Sequence, residues 1–441
     1  MGEPTDRSRV LALALPAVGE QVLNMMIGLA DTYLVGHLGA ASISAVGLGN
    51  QMVMMATAFY SAVGTGGTAL VARHVGAREP QMANRIMHQS FIMAGVIGLA
   101  STLFFHAFAE QCLVLLNSPA DVVAPGTTYL SIVSFSFLAS ALMFMGMAAL
   151  RGAGDTRTPM LVMVIVNVVN IVVAWACIYG AGPIPALGVA GSAIGAAVAR
   201  SFGGVIILGV LLRGKAGLRL RLSALRLDVI QARRILNIGI PAGIEMLLMR
   251  FGQTAYAMVV AGLGTAAFAA HQLALTSESL SFMPGFGFAV AATTLVGQGL
   301  GARDPRRAEQ GGYESLRLSI FIMSAMGVAF FLLAPQFIGL FTSDPEVIEL
   351  GIWPLRLIAF SQPALACAMV LSGGLRGAGD TRQTLLITGF GLWLVRLPLA
   401  LLLVGPFGLI GAWVAMGVDI NVRGLAMVLR YRSGRWKELR V

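Results

Sequence analysis

The sequence predicts an all-α polytopic membrane protein, with twelve transmembrane helices in two pseudo-symmetric six-helix lobes. Hydrophobic residues make up 57% of its 441 residues and charged residues 11%, with a mean hydropathy of +0.81, well outside the range of soluble domains. The stretch Arg151-Gly152-Ala153-Gly154-Asp155-Thr156-Arg157 returns 225 residues later as Arg376-Gly377-Ala378-Gly379-Asp380-Thr381-Arg382. The same offset relates Leu15-Pro16-Ala17 and Glu20 to Ile240-Pro241-Ala242 and Glu245, and Val75-Gly76-Ala77-Arg78 to Leu300-Gly301-Ala302-Arg303. A spacing held so far along the chain marks a duplication.

Apolar stretches long enough to cross a hydrocarbon core of about 30 Å fall near 10–35, 44–72, 88–108, 122–149, 159–180 and 187–212. Six more follow near 236–260, 268–297, 312–340, 347–375, 384–404 and 407–430. Strand-like alternation is absent, so helices must satisfy the backbone and a barrel is excluded. The first apolar run outlasts a signal h-region and has no evident cleavage site, so it is expected to remain as a helix.

Lys and Arg set the orientation. The central segment carries Arg213, Lys215, Arg219, Arg221, Arg226, Arg233 and Arg234, and the connections on its side carry Arg73, Arg78, Arg85, Arg151, Arg157, Arg303, Arg306, Arg307, Arg376 and Arg382. The opposite connections, near 36–43, 109–121, 181–186, 261–267, 341–346 and 405–406, contain neither residue. This asymmetry is expected to place both termini and the linker in the cytoplasm, in a cytoplasmic (inner) membrane. The expected domains are an amino-terminal lobe over 1–213, a basic linker over 214–235 and a carboxy-terminal lobe over 236–441. An even number of spans separates equivalent positions, so the lobes share one orientation.

Several functions are excluded early. The net charge of +10 comes from basic residues that punctuate apolar runs rather than forming a soluble basic face, which argues against nucleic acid. Cys112, Cys177 and Cys367 show no metal or redox spacing and read as small apolar packing residues. An enzyme would need a nucleophile with a base, or a ligand cluster, and no His-Glu-x-x-His, Gly-x-Ser-x-Gly or phosphate loop occurs. Two parallel bundles with a cleft between them instead suit alternating access. In the repeated motif the glycines suit a tight turn, Thr158-Pro159 a helix start and Asp380 a cap, with the arginines holding the turn at the headgroups.

The paired motif, Pro16-Ala17-Val18-Gly19-Glu20, Ala30-Asp31-Thr32 before Val35-Gly36-His37-Leu38-Gly39, and Ala269-Ala270-His271-Gln272 resemble the multidrug and toxic compound extrusion (MATE) family over nearly the whole chain. The resemblance implies a V-shaped two-lobed antiporter that expels organic, often cationic, drugs or metabolites in exchange for protons or sodium. It implies no cofactor and no bound metal; the expected partners are small molecules and membrane lipid, and the expected state is a monomer. A flippase of lipid-linked saccharides is the alternative within the same superfamily. That function calls for a cationic cavity, whereas Arg200, Arg250, Arg356, Arg396 and Arg423 are dispersed.

Polar groups inside apolar helices nominate the site, because each is costly in hydrocarbon unless paired or functional. In the first helix Glu20, Asn24 and Asp31 share one stripe, and the fifth helix offers Asn167 and Asn170. Helix seven aligns Glu245, Met249 and Tyr256, and helix eight aligns His271 with Glu278, beside Gln272. Asp31 matches the first-helix aspartate that the family uses for cation coupling; Glu20, Asn24, Asn170 and Glu245 are its candidate helpers. Tyr256, His271, Gln272, Glu278 and Met249 are candidate substrate contacts. Methionines, with Phe282, Phe286 and Phe288, could line an adaptable cleft.

Arg151, Asp155, Arg376 and Asp380 are assigned to the turn, Asp419 and Arg423 to an intrahelical pair, and Arg396 to bracing a broken helix. Protons are the expected coupling ion and sodium the alternative. Sodium-driven relatives of the NorM type place their seventh-helix acid further on than Glu245. Some members carry a fifth-helix aspartate where Ala174 stands here.

Overall fold

The computed structural model describes residues 6–116, 119–183 and 185–439. Asn117, Ser118 and Ile184, in two connections free of Lys and Arg, lie outside the described residues, as do both extreme termini. The first half runs α1 (Asp6–Gly36), α2 (Ala40–Gly76), α3 (Pro80–Ala107), α4 (Ala109–Leu115), α5 (Ala120–Ser134), α6 (Phe137–Ala153), α7 (Arg157–Tyr179) and α8 (Val189–Arg213). The second runs α9 (Val229–Ala261), α10 (Thr265–Gly301), α11 (Pro305–Leu332), α12 (Ala334–Gly339), α13 (Pro345–Ala359), α14 (Gln362–Ala378), α15 (Thr381–Phe390), a π-helical turn (Gly391–Arg396) and α16 (Leu397–Arg432).

The twelve expected apolar runs all fall in helices among the described residues. Eight helices are long and apolar enough singly, and two more crossings are bent pairs, α5 with α6 at 53° and α13 with α14 at 58°. The 37-residue α2 covers the expected apolar run 44–72. The last two expected runs share the 52-residue stretch Thr381–Arg432, which Gly408, at φ 56° and ψ −136°, divides in two. The sequence pattern shows 122–149 and 347–375 as unbroken apolar runs; both bend at a Phe-Ser pair, Phe135-Ser136 and Phe360-Ser361. At the first, the hydroxyls of Ser134 and Ser136 donate to the carbonyls of Ser131 and Val133, at 2.6 and 2.7 Å, competing with the helix ladder. At the second, Pro363 lies in the first turn of α14 and lacks the donor that would continue the ladder.

Backbone detail repeats with the duplication. Gly154 and Gly379, just past the ends of α6 and α14, adopt φ 92° and 88°, the left-handed conformation that glycine enters at least cost. Arg78 and Arg303 also share φ 58° and 57°.

The chain forms two compact units that differ from the halves of its sequence: 19–239 make one, and 1–18 with 240–441 make the other. The first turns of α1 belong to the second unit because Gly287 of α10 has no side chain and admits Ala14 and Val18 against its backbone. Val10, Leu13 and Ala14 accordingly share a core with Phe288, Ala291 and Val296. The first turns of α9 return the exchange: Gly66 meets the Ile235 carbonyl, and Gly239 meets that of Ala62.

Candidate functional site

Six acidic side chains are buried among the described residues: Glu20, Asp31, Glu245, Glu278, Asp380 and Asp419. A buried carboxylate needs a counter-charge or hydrogen bonds, and four of the six have an arginine. Arg151 Nη1 donates to Glu20 at 3.0 Å, and Arg376 Nη2 to Glu245 at 3.0 Å, each pair spanning 131 residues. The first arginine of each motif copy thus turns inward to the repeat-related glutamate rather than out to headgroups, while Arg157 and Arg382 are exposed; an acid desolvated within α1 or α9 is otherwise uncompensated.

The two pairs differ in completeness. Glu245 also accepts from Thr384 at 3.0 Å and Thr388 at 2.9 Å, whereas Glu20 Oε2 is buried without a hydrogen-bond partner.

The motif aspartates have diverged as well. Asp155 accepts from the backbone N–H of Thr158 at 3.0 Å and its hydroxyl at 2.6 Å, capping α7. Helix α7 begins at Arg157, so Thr158 receives a cap instead of providing one. Asp380 makes no cap; it binds Arg430 Nε at 2.8 Å and Nη2 at 2.7 Å, the stronger claim on a carboxylate beside a guanidinium.

Asp419, fully buried, takes Arg423 Nε at 2.8 Å and Arg396 Nε at 2.8 Å, so the expected intrahelical pair has a third member. Arg396 closes the π-helical turn, and Gly391, which opens it, leaves room for Asp419 and the Arg423 stem; a Cβ there would collide with both. This turn is the irregular stretch of helix at which Arg396 stands.

Asp31 and Glu278, one in each unit, have no ion pair among the described residues. Asp31 Oδ1 is buried without a hydrogen-bond partner, as is Asn170 Oδ1 on α7. The polar neighbours of Asp31 are the Asn170 amide and the Arg200 guanidinium on α8. Both oxygens of Glu278 are likewise unpartnered, with Arg396 and Arg423 as the nearest cations. One α10 turn-pair away, His271 stands edge-on to Tyr256 and Trp413, each with centroids 5.6 Å apart, and its Nδ1 is unpartnered. Tyr256 donates to the Ala412 carbonyl at 2.8 Å while Arg396 lies 5.5 Å over its ring.

The other candidates fall away from these clusters. Asn24 is exposed and approaches Gln21, at 3.5 Å, so the stripe expected from Glu20 to Asp31 is not continuous. Asn167 donates to the Met163 carbonyl of its own helix at 2.8 Å. Gln272 is exposed and Met249 half-buried; Phe288 is buried, while Phe282 and Phe286 are exposed. Sequence reasoning missed Arg200 as a site residue, since a single arginine in an apolar run carries no spacing signal. No cluster of His, Cys, Asp and Glu fit to hold a metal ion occurs among the described residues.

The sequence pattern of the MatE family matches residues 16–176 and 241–402, one stretch in each repeat. The chain belongs to the MatE family. A relative in Thermotoga maritima, described as a probable multidrug resistance protein NorM, is 33% identical over 99% of this chain and 94% of its own. The multidrug resistance protein PmpM of Pseudomonas aeruginosa is 26% identical, over 97% and 91%. A solved outward-facing multidrug resistance MATE transporter of the MOP superfamily shares the fold at a TM-score of 0.90 and 23% identity, covering 97% of this chain and 95% of that one. As a MatE protein the chain is an integral membrane transporter and not an enzyme.

Proposed function

We propose that this MatE transporter exports organic, often cationic, compounds from the cytoplasm across the inner membrane in exchange for protons. The single observation that carries the reading is the pair of buried acids without ion pairs, Asp31 and Glu278, set against four others that arginines neutralise. An unpaired carboxylate can gain and lose a proton without dismantling an ion pair, which a coupling group must do at every cycle. Asp31, with Asn170 beside it, is the proposed coupling site; Glu20 and Glu245 brace the lobes through Arg151 and Arg376. Glu278 with the His271, Tyr256 and Trp413 rings is the proposed contact for a cationic, aromatic substrate, since ring faces and a carboxylate both attract cations.

The names of the NorM and PmpM relatives support the multidrug reading. A flippase for lipid-linked saccharides is supported less, because Arg396 and Arg423 are bound to Asp419 and so do not offer a free cationic cavity. The lobes proposed for alternating access are 1–213 and 236–441, with the linker 214–235 and both termini cytoplasmic.

The test is efflux of a fluorescent organic cation from proteoliposomes under separately imposed gradients. Efflux under a proton gradient without sodium is expected; no efflux there, with recovery on adding a sodium gradient, would refute proton coupling.

A further inference from the structure

Arg200 is a charged side chain within an apolar helix that neither the motifs nor the ion pairs among the described residues account for. It sits at mid-helix on α8, and its depth follows from packing. Helices α7 and α8 run antiparallel, held by glycines against the facing helix: Gly191 against the Cys177 backbone, Gly195 with Ala174, where an added Cβ would lie 2.6 Å from Ala174 Cβ, and Gly203 with Val166, at 2.6 Å. That register brings Arg200 level with Asn170. Helix α1 is fixed against α7 by Gly19 on Met160 at one end and by Tyr179, which donates to the Leu34 carbonyl at 2.7 Å, at the other. Asp31 lies between those contacts, with the Asn170 amide beside it and the Arg200 charge acting on it.

The remaining elements of the unit complete the surroundings. Tyr60 of α2 and Tyr129 of α5 are both within the field of Arg200, and Tyr129 donates to Asn50 of α2 at 3.1 Å. The groups acting on Asp31 are therefore Asn170, Arg200 and Tyr129, with Tyr60 acted on by Arg200 and no second carboxylate among the described residues. Arg200 Nη1 is buried without a hydrogen-bond partner, and Arg200 makes no ion pair among the described residues.

We propose that Arg200 is the ion-selectivity residue of the Asp31 cluster: a tethered cation that lets Asp31 accept a proton and keeps sodium out. A proton needs one lone pair, and Asp31 Oδ1 has one unpartnered. A hard cation instead needs a shell of several oxygens. One wall of that shell is a guanidinium, which offers five donors and no acceptor. The same charge repels a cation held only by electrostatics, whereas a proton is held by an O–H bond. The proposal rests on Asp31 as the coupling acid and adds the reason for its ion preference.

The experiment compares wild type, Arg200→Gln and Arg200→Lys in proteoliposomes, with organic-cation efflux driven by a proton or a sodium gradient. Binding of radioactive sodium ions to the purified proteins in detergent is measured alongside. Gln removes the charge and adds an oxygen, so Arg200→Gln is expected to bind sodium at least about tenfold more tightly than wild type and to gain sodium-driven efflux. Adding Asp31→Asn to that variant should abolish the gain. Arg200→Lys keeps the charge and should stay blind to sodium.

A folded Arg200→Gln protein with wild-type sodium response overturns the proposal, and so does sodium binding by Arg200→Lys, which decides the matter if the Gln variant fails to fold. A structural role alone would lower yield or stability without changing which ion drives efflux. If wild type is driven by neither gradient, the coupling assignment fails, and sodium binding still judges Arg200. Wild type already driven by sodium overturns both.

Discussion

Removing Arg376 is expected to damage the fold more than removing its partner Glu245, and the double mutant is expected to recover much of the loss. The asymmetry comes from burial: the Glu245 side chain is 2% exposed and that of Arg376 is 32% exposed. Arg376→Ala strands an anion in the interior. Breaking a buried pair from one side costs about 3–5 kcal/mol. The Thr384 and Thr388 hydroxyls remain on Glu245, at 3.0 and 2.9 Å, and hold the loss near the lower end, about 3 kcal/mol.

Glu245→Ala strands a guanidinium whose side chain is 32% exposed, and should cost about 1–2 kcal/mol, the scale of a lost charge-assisted hydrogen bond. The double mutant leaves no stranded charge, so it should resemble Glu245→Ala, with a coupling between the sites on the order of 2–3 kcal/mol. Thermal unfolding of the detergent-solubilised proteins provides the ranking, and the three variants with wild type close the cycle. If Glu245→Ala melts lower than Arg376→Ala, or the two losses add in the double mutant, the pairing is not what stabilises this site.

Asp31→Asn should reach the membrane at normal levels and lose gradient-driven efflux, whereas Asp419→Asn should melt early because Arg396 and Arg423 lose their shared carboxylate; equal melting temperatures with equal residual efflux would remove that distinction. Gly391→Ala should lower the melting temperature or the yield, since a Cβ collides with Asp419 and Arg423, and a variant as stable as wild type would show that the π-helical turn tolerates a side chain. Asp155→Ala should cost about 1 kcal/mol as a lost cap, and Asp380→Ala more, because it leaves Arg430 unpaired; a reversed order in thermal unfolding would contradict the divergence of the two motif copies. With cytoplasmic termini, a cysteine at position 183 should react with an impermeant reagent in intact cells and one at 306 should not, and the opposite labelling would invert the topology.

The sequence by itself determined the crossings, the duplication and the turns. Apolar runs must become helices in hydrocarbon because no other backbone arrangement satisfies itself locally, and a glycine past the last turn answers a local need, as Gly154 and Gly379 do. That Asp31 is an acid within a membrane helix was legible too, since an acid in an apolar run declares its own cost.

What only the tertiary structure decided is partnership. Glu20 and Glu245 look like Asp31 in sequence, and it is packing that brings Arg151 and Arg376 to them across 131 residues. The bends at Phe135-Ser136 and Phe360-Ser361, and the exchange of first helical turns between units, likewise have no signature in apolar periodicity. Arg200 reaches the level of Asn170 through glycine contacts between α7 and α8. The physical reason is one of range: hydropathy and turn chemistry act within a few residues, whereas the depth at which two side chains meet depends on helix register, which is fixed by close contacts between surfaces far apart in the chain.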